Sequence, residues 1–531
     1  MDLLHRQTIG DTLRRTARRT PERLALWFEG RTWTYADLDD EVNRVAHGLS
    51  GLGIGKHDRV AILSRNSDSF VLLRFALARL GAVLVPINFM LGPEEIAHVL
   101  RHSGARVLCA APDLARTGAA AVRLGTEIDR CVLMTSSVPE SCGIGWIPFN
   151  TLISEDASEP EVNLGPDDVA QIVYTSGTES LPKGAALTHA ALLWQYTAVL
   201  VDAQVTREDV ILHGLPLYHC AQLDVFLGPG VYVGASNVLI DQPRPEIVLS
   251  FIQQHRISSF FAPPTVWISL LRSPVFDQTD LASLRKAYYG ASIMPLEVAR
   301  ELTARLPHVR FWNLYGQTEI APLATALQPE DFARKPGSVG KATLNVETRV
   351  VDSYMHDVRP GEVGEIVHRS PQLLQGYYRD EEKTAEAFAG GWFHSGDLGT
   401  IDEEGYITVV DRQKDMIKSG GENVASREVE DVLYQMQGVA EVAVVGLAHP
   451  TWIEAVTAVV VPKAGAALSE EQVMAHCRRR LASFKVPKGV VLAESLPKNP
   501  SGKILKRSLR DAYAHLYTRI DATSGGSGVT S

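Results

Sequence analysis

Apolar positions recur along this chain with two different periods, and the two alternate over most of its length. Leu38, Val42, Val45, Ala46 and Leu49 fall on one face at helical spacing. The short apolar run at 58–63 reads as a buried strand, 69–80 as a helix and 81–87 as a strand again. The alternation resumes further on. Residues 169–174, 210–215, 258–262 and 309–314 read as strands, with helices such as 295–306 between them. These strands carry apolar residues at adjacent positions and not only at every second one, as expected of strands covered on both faces. The pattern therefore predicts an α/β protein with mainly parallel sheets flanked by helices. Ligands of such sheets collect at loops beyond the carboxyl ends of the strands.

The texture changes near residue 336. Short strands at 365–368 and 406–410 lie among Gly- and Asp-bearing turns, which predicts a β-rich subdomain over about 336–413. A small α+β unit of about one hundred residues follows. It opens with an amphipathic helix carrying Val429, Val432, Leu433 and Met436 on one face, followed by strands at 442–446 and 455–461. The tail at 521–531 is Gly/Ser-rich and predicts disorder. A chain of 531 residues is too long for one core. The predicted division is a large N-terminal domain, 1–413, a small mobile C-terminal domain, 414–520, and the tail.

Charge and cysteines narrow the class. The net charge of −10 disfavours a nucleic-acid or membrane-surface role. Arg14, Arg15, Arg18, Arg19 and Arg23 read as the solvated face of a helix that buries Ile9, Leu13 and Ala17 and is capped by Asp11. The most apolar long stretch, 71–90, is interrupted by Arg74, Arg79 and Pro86, so no integral membrane segment is expected. Cys109, Cys131, Cys142, Cys220 and Cys477 show no metal-ligand spacing, which fits a reduced, cytoplasmic compartment.

The chemistry concentrates in Thr175-Ser-Gly-Thr-Glu-Ser-Leu-Pro-Lys-Gly184. Small hydroxyl residues and glycines let a loop bring backbone N–H groups close to an anion, and Lys183 adds a point charge, so the loop reads as a phosphate clamp. It is not a P-loop, because Gly184 and not Ser or Thr follows Lys183. Five further segments stand in order behind it. They are Pro216-Leu-Tyr-His219, Tyr289-Gly-Ala-Ser-Ile-Met-Pro295, Asn313-Leu-Tyr-Gly-Gln-Thr-Glu319, Trp392-Phe-His-Ser-Gly-Asp397 and Leu496-Pro-Lys-Asn-Pro-Ser-Gly-Lys503.

This ordered set resembles the adenylate-forming superfamily, in its acyl-CoA synthetase and fatty-acid–CoA ligase branch. The resemblance implies a hydrophobic fatty or aryl carboxylic acid, ATP and CoA as substrates, with Mg2+ accompanying ATP. It implies Lys503, Glu319, Thr318 and His219 as catalytic residues, Glu319 holding the metal. Nucleotide contacts would come from Thr175, Ser176, Gly177, Thr178, Lys183, Gly290, Ala291, Ser292, Tyr315, Gly316, Asp397 and Arg412. Lys414 would be the hinge of the small domain. Gly420 and Gly421, in Ser419-Gly-Gly-Glu-Asn-Val424, would line the CoA tunnel. The expected acyl-pocket walls are Tyr218, Gln222, Trp267, Tyr289, Gly316 and Ile320. Phe260-Phe-Ala-Pro-Pro264 offers no acid for a substrate ammonium, which disfavours amino acids.

The loop departs from the family pattern at Glu179 and Ser180, where Thr and Gly are usual. A carboxylate about 5 Å from an ATP phosphate at an effective ε of ~20 would repel it by about 3 kcal/mol per unit charge. A ligase performing one half-reaction only therefore stays open, either adenylation with transfer to a carrier protein or thioesterification alone. So does a non-catalytic nucleotide- or CoA-binding regulator. A homodimer is compatible with all of them.

Overall fold

A computed structural model describes residues 3–136, 145–175, 182–292, 294–500 and 502–517. Two large mixed sheets dominate. In the eight-stranded sheet, Val83–Ile87, Arg59–Leu63, Val107–Ala110, Arg130–Leu133 and Trp146–Pro148 run parallel, and Val169–Thr175 joins them parallel to Val83–Ile87. The nine-stranded sheet has a parallel centre of Ser236–Leu239, Val210–His213, Ser259–Phe261, Lys286–Gly290 and Arg310–Gly316. One core joins the sheets, with Leu26 and Leu239 of one and Val60, Leu84, Ala170 and Leu187 of the other in the same buried cluster.

The helices follow the periodicity. Tyr35–Gly51 buries Leu38, Val42, Val45, Ala46 and Leu49, the face read from spacing. The helix Asp68–Leu80 is buried almost all round, because it lies inside the core and not at the surface. The N-terminal helix Ile9–Arg19 differs in detail from expectation. Thr8 is its N-cap, and Asp11 accepts from the Thr8 N–H at 2.8 Å and hydroxyl at 2.9 Å, a capping-box arrangement. Its arginines are not simply solvated. Arg14 pairs with Asp11 at 2.7 Å and Glu159 at 2.6 Å, and Arg19 donates to the Tyr232 carbonyl at 2.7 Å. The helix is thereby tied to the rest of the chain through long side chains that also bury their stems.

Beyond the two large sheets lies a four-stranded antiparallel sheet of Glu347–Val351, Gly364–Arg369, Phe393–Ile401 and Ile407–Arg412. The last sheet pairs Val439–His449 with Ile453–Pro462 under the helices Ser426–Tyr434 and Glu470–Arg478 around a separate apolar core. No described helix is long and apolar enough to cross a membrane.

Candidate active site

Strands from both sheets end at one place. Ile87 ends one strand and Asn88 follows it, Thr175 ends another, and Tyr218 and His219 follow Val210–His213. Ala291 follows Lys286–Gly290, and Thr318 and Glu319 follow Arg310–Gly316. Together with Lys183, Tyr377, Arg412, Lys414 and Lys503 they line a cavity of about 600 Å3. Convergent strand ends supply a site because the loops there are freed from the sheet's hydrogen bonding.

One end of the cavity is polar. Thr175 and Lys183 stand opposite each other on antiparallel strands and bracket the clamp loop. Ser176, Gly177, Thr178, Glu179 and Ser180 lie outside the described residues. The Lys183 ammonium lies 5.1 Å from the centre of the Tyr377 ring, and the Tyr377 hydroxyl donates to Glu319 Oε1 at 3.0 Å. Burial pushes the Glu319 carboxyl up, opposed by that hydroxyl and by the positive charges of Arg412 and Lys183. Asp397 and Arg412 face each other across adjacent strands and pair at 3.1 Å. Asp397 Oδ2 also accepts from the Tyr315 hydroxyl at 2.8 Å. Tyr315 is itself a cavity residue, so Asp397 is held at the cavity's edge by two of its lining side chains.

Lys503 is brought in from the C-terminal unit. Its N–H donates to Asn499 Oδ1 at 2.8 Å, and Arg412 and then burial push its ammonium down to about 8. Burial, with Lys503 adding to it, pushes His219 down to about 4, so its imidazole is neutral at pH 7. His219 Nδ1 accepts from the Ala221 N–H at 3.1 Å, which leaves the ring proton on Nε2. Thr318 Oγ1 lies 3.3 Å from Cys220 Sγ.

The other end is apolar. It is formed by Val225, Phe226, Phe261, Leu314 and Leu323 beside Tyr218. Four expected acyl walls are elsewhere. Trp267 and Tyr289 belong to a core on the other face of the nine-stranded sheet, Trp267 against Phe260 and Phe311 and Tyr289 against Phe332. Gln222 is buried, bonded to His213 Nδ1 at 2.6 Å and the Leu215 N–H at 3.3 Å, and Ile320 is packed beside Ala324 and Val346. Gly290 and Ser292 also fall outside the lining, while Ala291 and Gly316 belong to it. Successive strand residues point to opposite faces, so a one-residue choice exchanges cavity for core. Tyr377, Phe226 and Phe261 were not singled out from sequence. The only signal for Tyr377 was an aromatic pair, Tyr377-Tyr378, behind a glycine on the edge strand Gly376–Tyr377 that pairs with Lys183–Thr188.

Gly420 and Gly421 are exposed and do not line the cavity. Gly420 has φ 63° and donates its N–H to the Trp452 carbonyl at 2.9 Å. A Cβ there would meet the Trp452 ring at 2.8 Å. The C-terminal unit is held in this pose by Thr265 Oγ1 donating to the Gly502 carbonyl at 3.0 Å. Asp411 Oδ2 also accepts from the Ser426 N–H and hydroxyl, each at 2.7 Å. Among the described residues no cluster of three or more His, Cys, Asp or Glu could hold a metal. Glu319 is thus a single buried carboxylate facing a polar cavity, a donor set that fits Mg2+ carried on nucleotide phosphates and not a dedicated protein cage.

Comparison with known proteins finds relatives over nearly the whole chain. The AMP-binding enzyme family matches residues 13–378, and the AMP-binding enzyme C-terminal domain matches 428–503. A feruloyl-CoA synthase from Amycolatopsis sp is 38% identical over 510 residues, covering 96% of this chain and all of that one. A long-chain-fatty-acid–CoA ligase, FadD13, of Mycobacterium tuberculosis is 37% identical over 521 residues, covering 96% and 99%. The crystal structure of the anthranilate CoA ligase AuaEII with anthranoyl-AMP superposes with a TM-score of 0.89 at 27% identity, covering 95% of this chain and 97% of that one.

Proposed function

The chain belongs to the AMP-binding enzyme family, in its acyl-CoA synthetase branch, and we infer from the cavity how its residues divide the work. It is an AMP-forming carboxylic acid–CoA ligase that acts on a hydrophobic acid. In the first step a carboxylate oxygen bonds to the α-phosphorus of ATP while the bond to the β-phosphate breaks, releasing pyrophosphate. In the second the CoA thiolate bonds to the acyl carbon, the adenylate's acyl–oxygen bond breaks and AMP leaves. Both partners of the first step are anions, so charge neutralisation is the main catalytic demand. The observation that carries the reading is that Lys503, from the C-terminal unit, lines the same cavity as Glu319, Arg412 and His219, beside an apolar end.

The roles we assign are those the resemblance implies, and the placement of these residues around the cavity supports them. Lys503 meets the attacking carboxylate and the α-phosphate as a cation. Asp397 accepts from the ribose hydroxyls, held by Tyr315 and Arg412. Neutral His219 donates from Nε2 to a substrate oxygen, and Thr318 donates to the α-phosphate. Thr175 and Lys183 anchor the outer phosphates. Glu319 would hold Mg2+, which when bound supplies further neutralisation of phosphate charge. The pose with Lys503 inside and Gly420 outside suits adenylation. Rotation about Lys414 would break the Thr265–Gly502 and Asp411–Ser426 bonds, withdraw Lys503 and bring the glycine hairpin in.

The test is incubation with ATP, CoA and a panel of fatty and aryl acids. AMP and thioester should form together, and pyrophosphate exchange should need acid but not CoA. Acyl-adenylate formed with no thioester would leave only the adenylating half, with a carrier protein as the acceptor to try. A rise in exchange on Glu179→Thr would assign the native loop a charge penalty, and no change would remove that concern.

A further inference from the structure

The apolar end of the cavity rests on a polar device that the reaction does not use. The helix beginning at Cys220 runs through Gly228–Val233, and its middle, Leu223–Leu227, is a π turn. A π turn inserts one extra residue into a helix, and such turns concentrate at functional sites. One residue is about 100° of helix phase. The insertion therefore decides which side chains of Leu223-Asp-Val-Phe-Leu227 face the cavity. As built, Val225 and Phe226 line it, while Leu223 and Leu227 enter the main core.

Asp224 does not touch the cavity, yet it is fully buried. Its Oδ1 pairs with Arg74 at 3.2 Å and accepts from the Tyr196 hydroxyl at 3.3 Å, and its Oδ2 accepts from Gln171 at 2.7 Å. Arg74, Gln171 and Tyr196 come from three separate elements and are buried as well. A carboxylate fixed by three elements cannot rotate with its helix, so it pins the phase of the π turn. Gly228 closes the arrangement, since a Cβ there would lie 2.1 Å from the Tyr196 hydroxyl.

What the turn presents is aromatic. Phe226 stacks on Phe261 with centroids 4.8 Å apart and planes at 19°, and meets Tyr288, the cross-strand neighbour of Phe261, at 5.0 Å with planes at 58°. Tyr288 stacks on Trp312 at 5.0 Å. The last two rings are anchored, Tyr288 to the Ala203 carbonyl at 2.7 Å and Trp312 to the Asp202 carbonyl at 3.1 Å. Phe226 and Phe261 line the cavity and are backed by these two anchored rings, which makes a stiff end wall. The cavity of about 600 Å3 must hold nucleotide and acid together, within the ~300–1,000 Å3 that a single drug-sized ligand usually takes.

We propose that Asp224, held by Arg74, Gln171 and Tyr196, is a positioning residue for acid specificity. It locks the π turn so that Phe226 closes the acyl end, which selects a planar aryl acid over a long aliphatic chain. This rests on the synthetase reading above. The experiment measures acid-dependent pyrophosphate exchange with cinnamic and dodecanoic acids for the intact enzyme and for Asp224→Asn, Tyr196→Phe and Phe226→Ala. The native enzyme should prefer cinnamic acid. Asp224→Asn and Phe226→Ala should shift the ratio of kcat/KM toward dodecanoic acid by about tenfold, the scale at which pocket shape discriminates. The change should appear in the KM for acid, with the KM for ATP unmoved. Asp224→Glu should stay shifted, because the longer arm moves the turn. Tyr196→Phe keeps the ion pair, and so carries the test should the Asp224 variants not fold. It should shift the ratio in the same direction. A native enzyme that exchanges equally well with dodecanoic acid, or variants with an unchanged ratio, would overturn the proposal and leave the synthetase reading standing. No exchange with any acid would overturn both.

Discussion

The two ends of the cavity are built on different principles. The nucleotide end is a set of charged and hydroxyl groups, each fixed by a partner on another element: Asp397 by Tyr315 and Arg412, Glu319 by Tyr377. The acyl end is a wall of rings and aliphatic side chains whose exposure to the cavity depends on sheet face and helix phase. At the first, residue type carries the function, and a substitution removes a specific charge or donor. At the second, shape carries it, and many residue types would serve if they faced the right way. A change at one end should therefore fall mainly on the KM for ATP or on adenylation, and a change at the other on the choice of acid.

The largest effect expected is at Lys503. Lys503→Ala should lower pyrophosphate exchange by about 10²–10³-fold, the usual cost of one transition-state charge partner. Thioester formation from preformed acyl-adenylate should be nearly unaffected if, as proposed, the C-terminal unit withdraws the lysine before that step. Equal losses in both assays would collapse the distinction between the two poses. Trp267→Ala probes the wrong side of the acyl wall. It should destabilise the chain by about 3–5 kcal/mol in urea unfolding as a core cavity. The acid preference should not move, and a shift in it would place Trp267 in the acyl end after all.

A pH profile sharpens the polar end further. The Lys503 ammonium sits at about 8, below its ordinary 10.5, so it loses its proton earlier than a free lysine. Exchange measured as kcat/KM should hold level below pH 8 and fall about tenfold per pH unit above it, as one proton is lost. Lys503→Arg should carry that decline to higher pH if it retains activity. A smaller effect belongs to Tyr315→Phe, which removes the hydroxyl bonded to Asp397. It should cost about 0.5–1.5 kcal/mol, read as a two- to tenfold rise in the KM for ATP with the acid ratio unchanged. The smallest is Arg256→Ala, which breaks an exposed 3.5 Å pair with Asp280 far from either end. Its stability change should stay within about 0.5 kcal/mol.

The uneven legibility of the two ends has a physical cause. Glu319, Arg412, Lys183 and Lys503 could be named from sequence because they stand in or beside short motifs whose order resembles the adenylate-forming superfamily; alone, a lysine in a Pro/Gly turn such as Lys503 reads as a surface charge. The structure gathers them although they are separated by as many as 320 residues in the chain, from Lys183 to Lys503. Secondary structure was legible as well, since buried strands such as Arg59–Leu63 and Val83–Ile87 are written as nearly continuous apolar runs. That same continuity hides the acyl end. When every residue of a strand is apolar, nothing in the pattern says which face meets substrate.

Sequence alone carried the kind of sheet and the strand-end placement of the site, because local periodicity holds that information, while its charged groups were legible through the ordered motifs and the resemblance they carry. Only the tertiary structure decided that Tyr288 and not Tyr289 backs the cavity, that Phe226 reaches it, and that Asp224 is buried to hold it there. Tyr288 and Tyr289 are neighbours with the same side chain, and the pleat sends them to opposite faces. Which face is the cavity depends on where the helix beginning at Cys220 and the second sheet come to rest, and that is settled by packing between segments far apart in the chain.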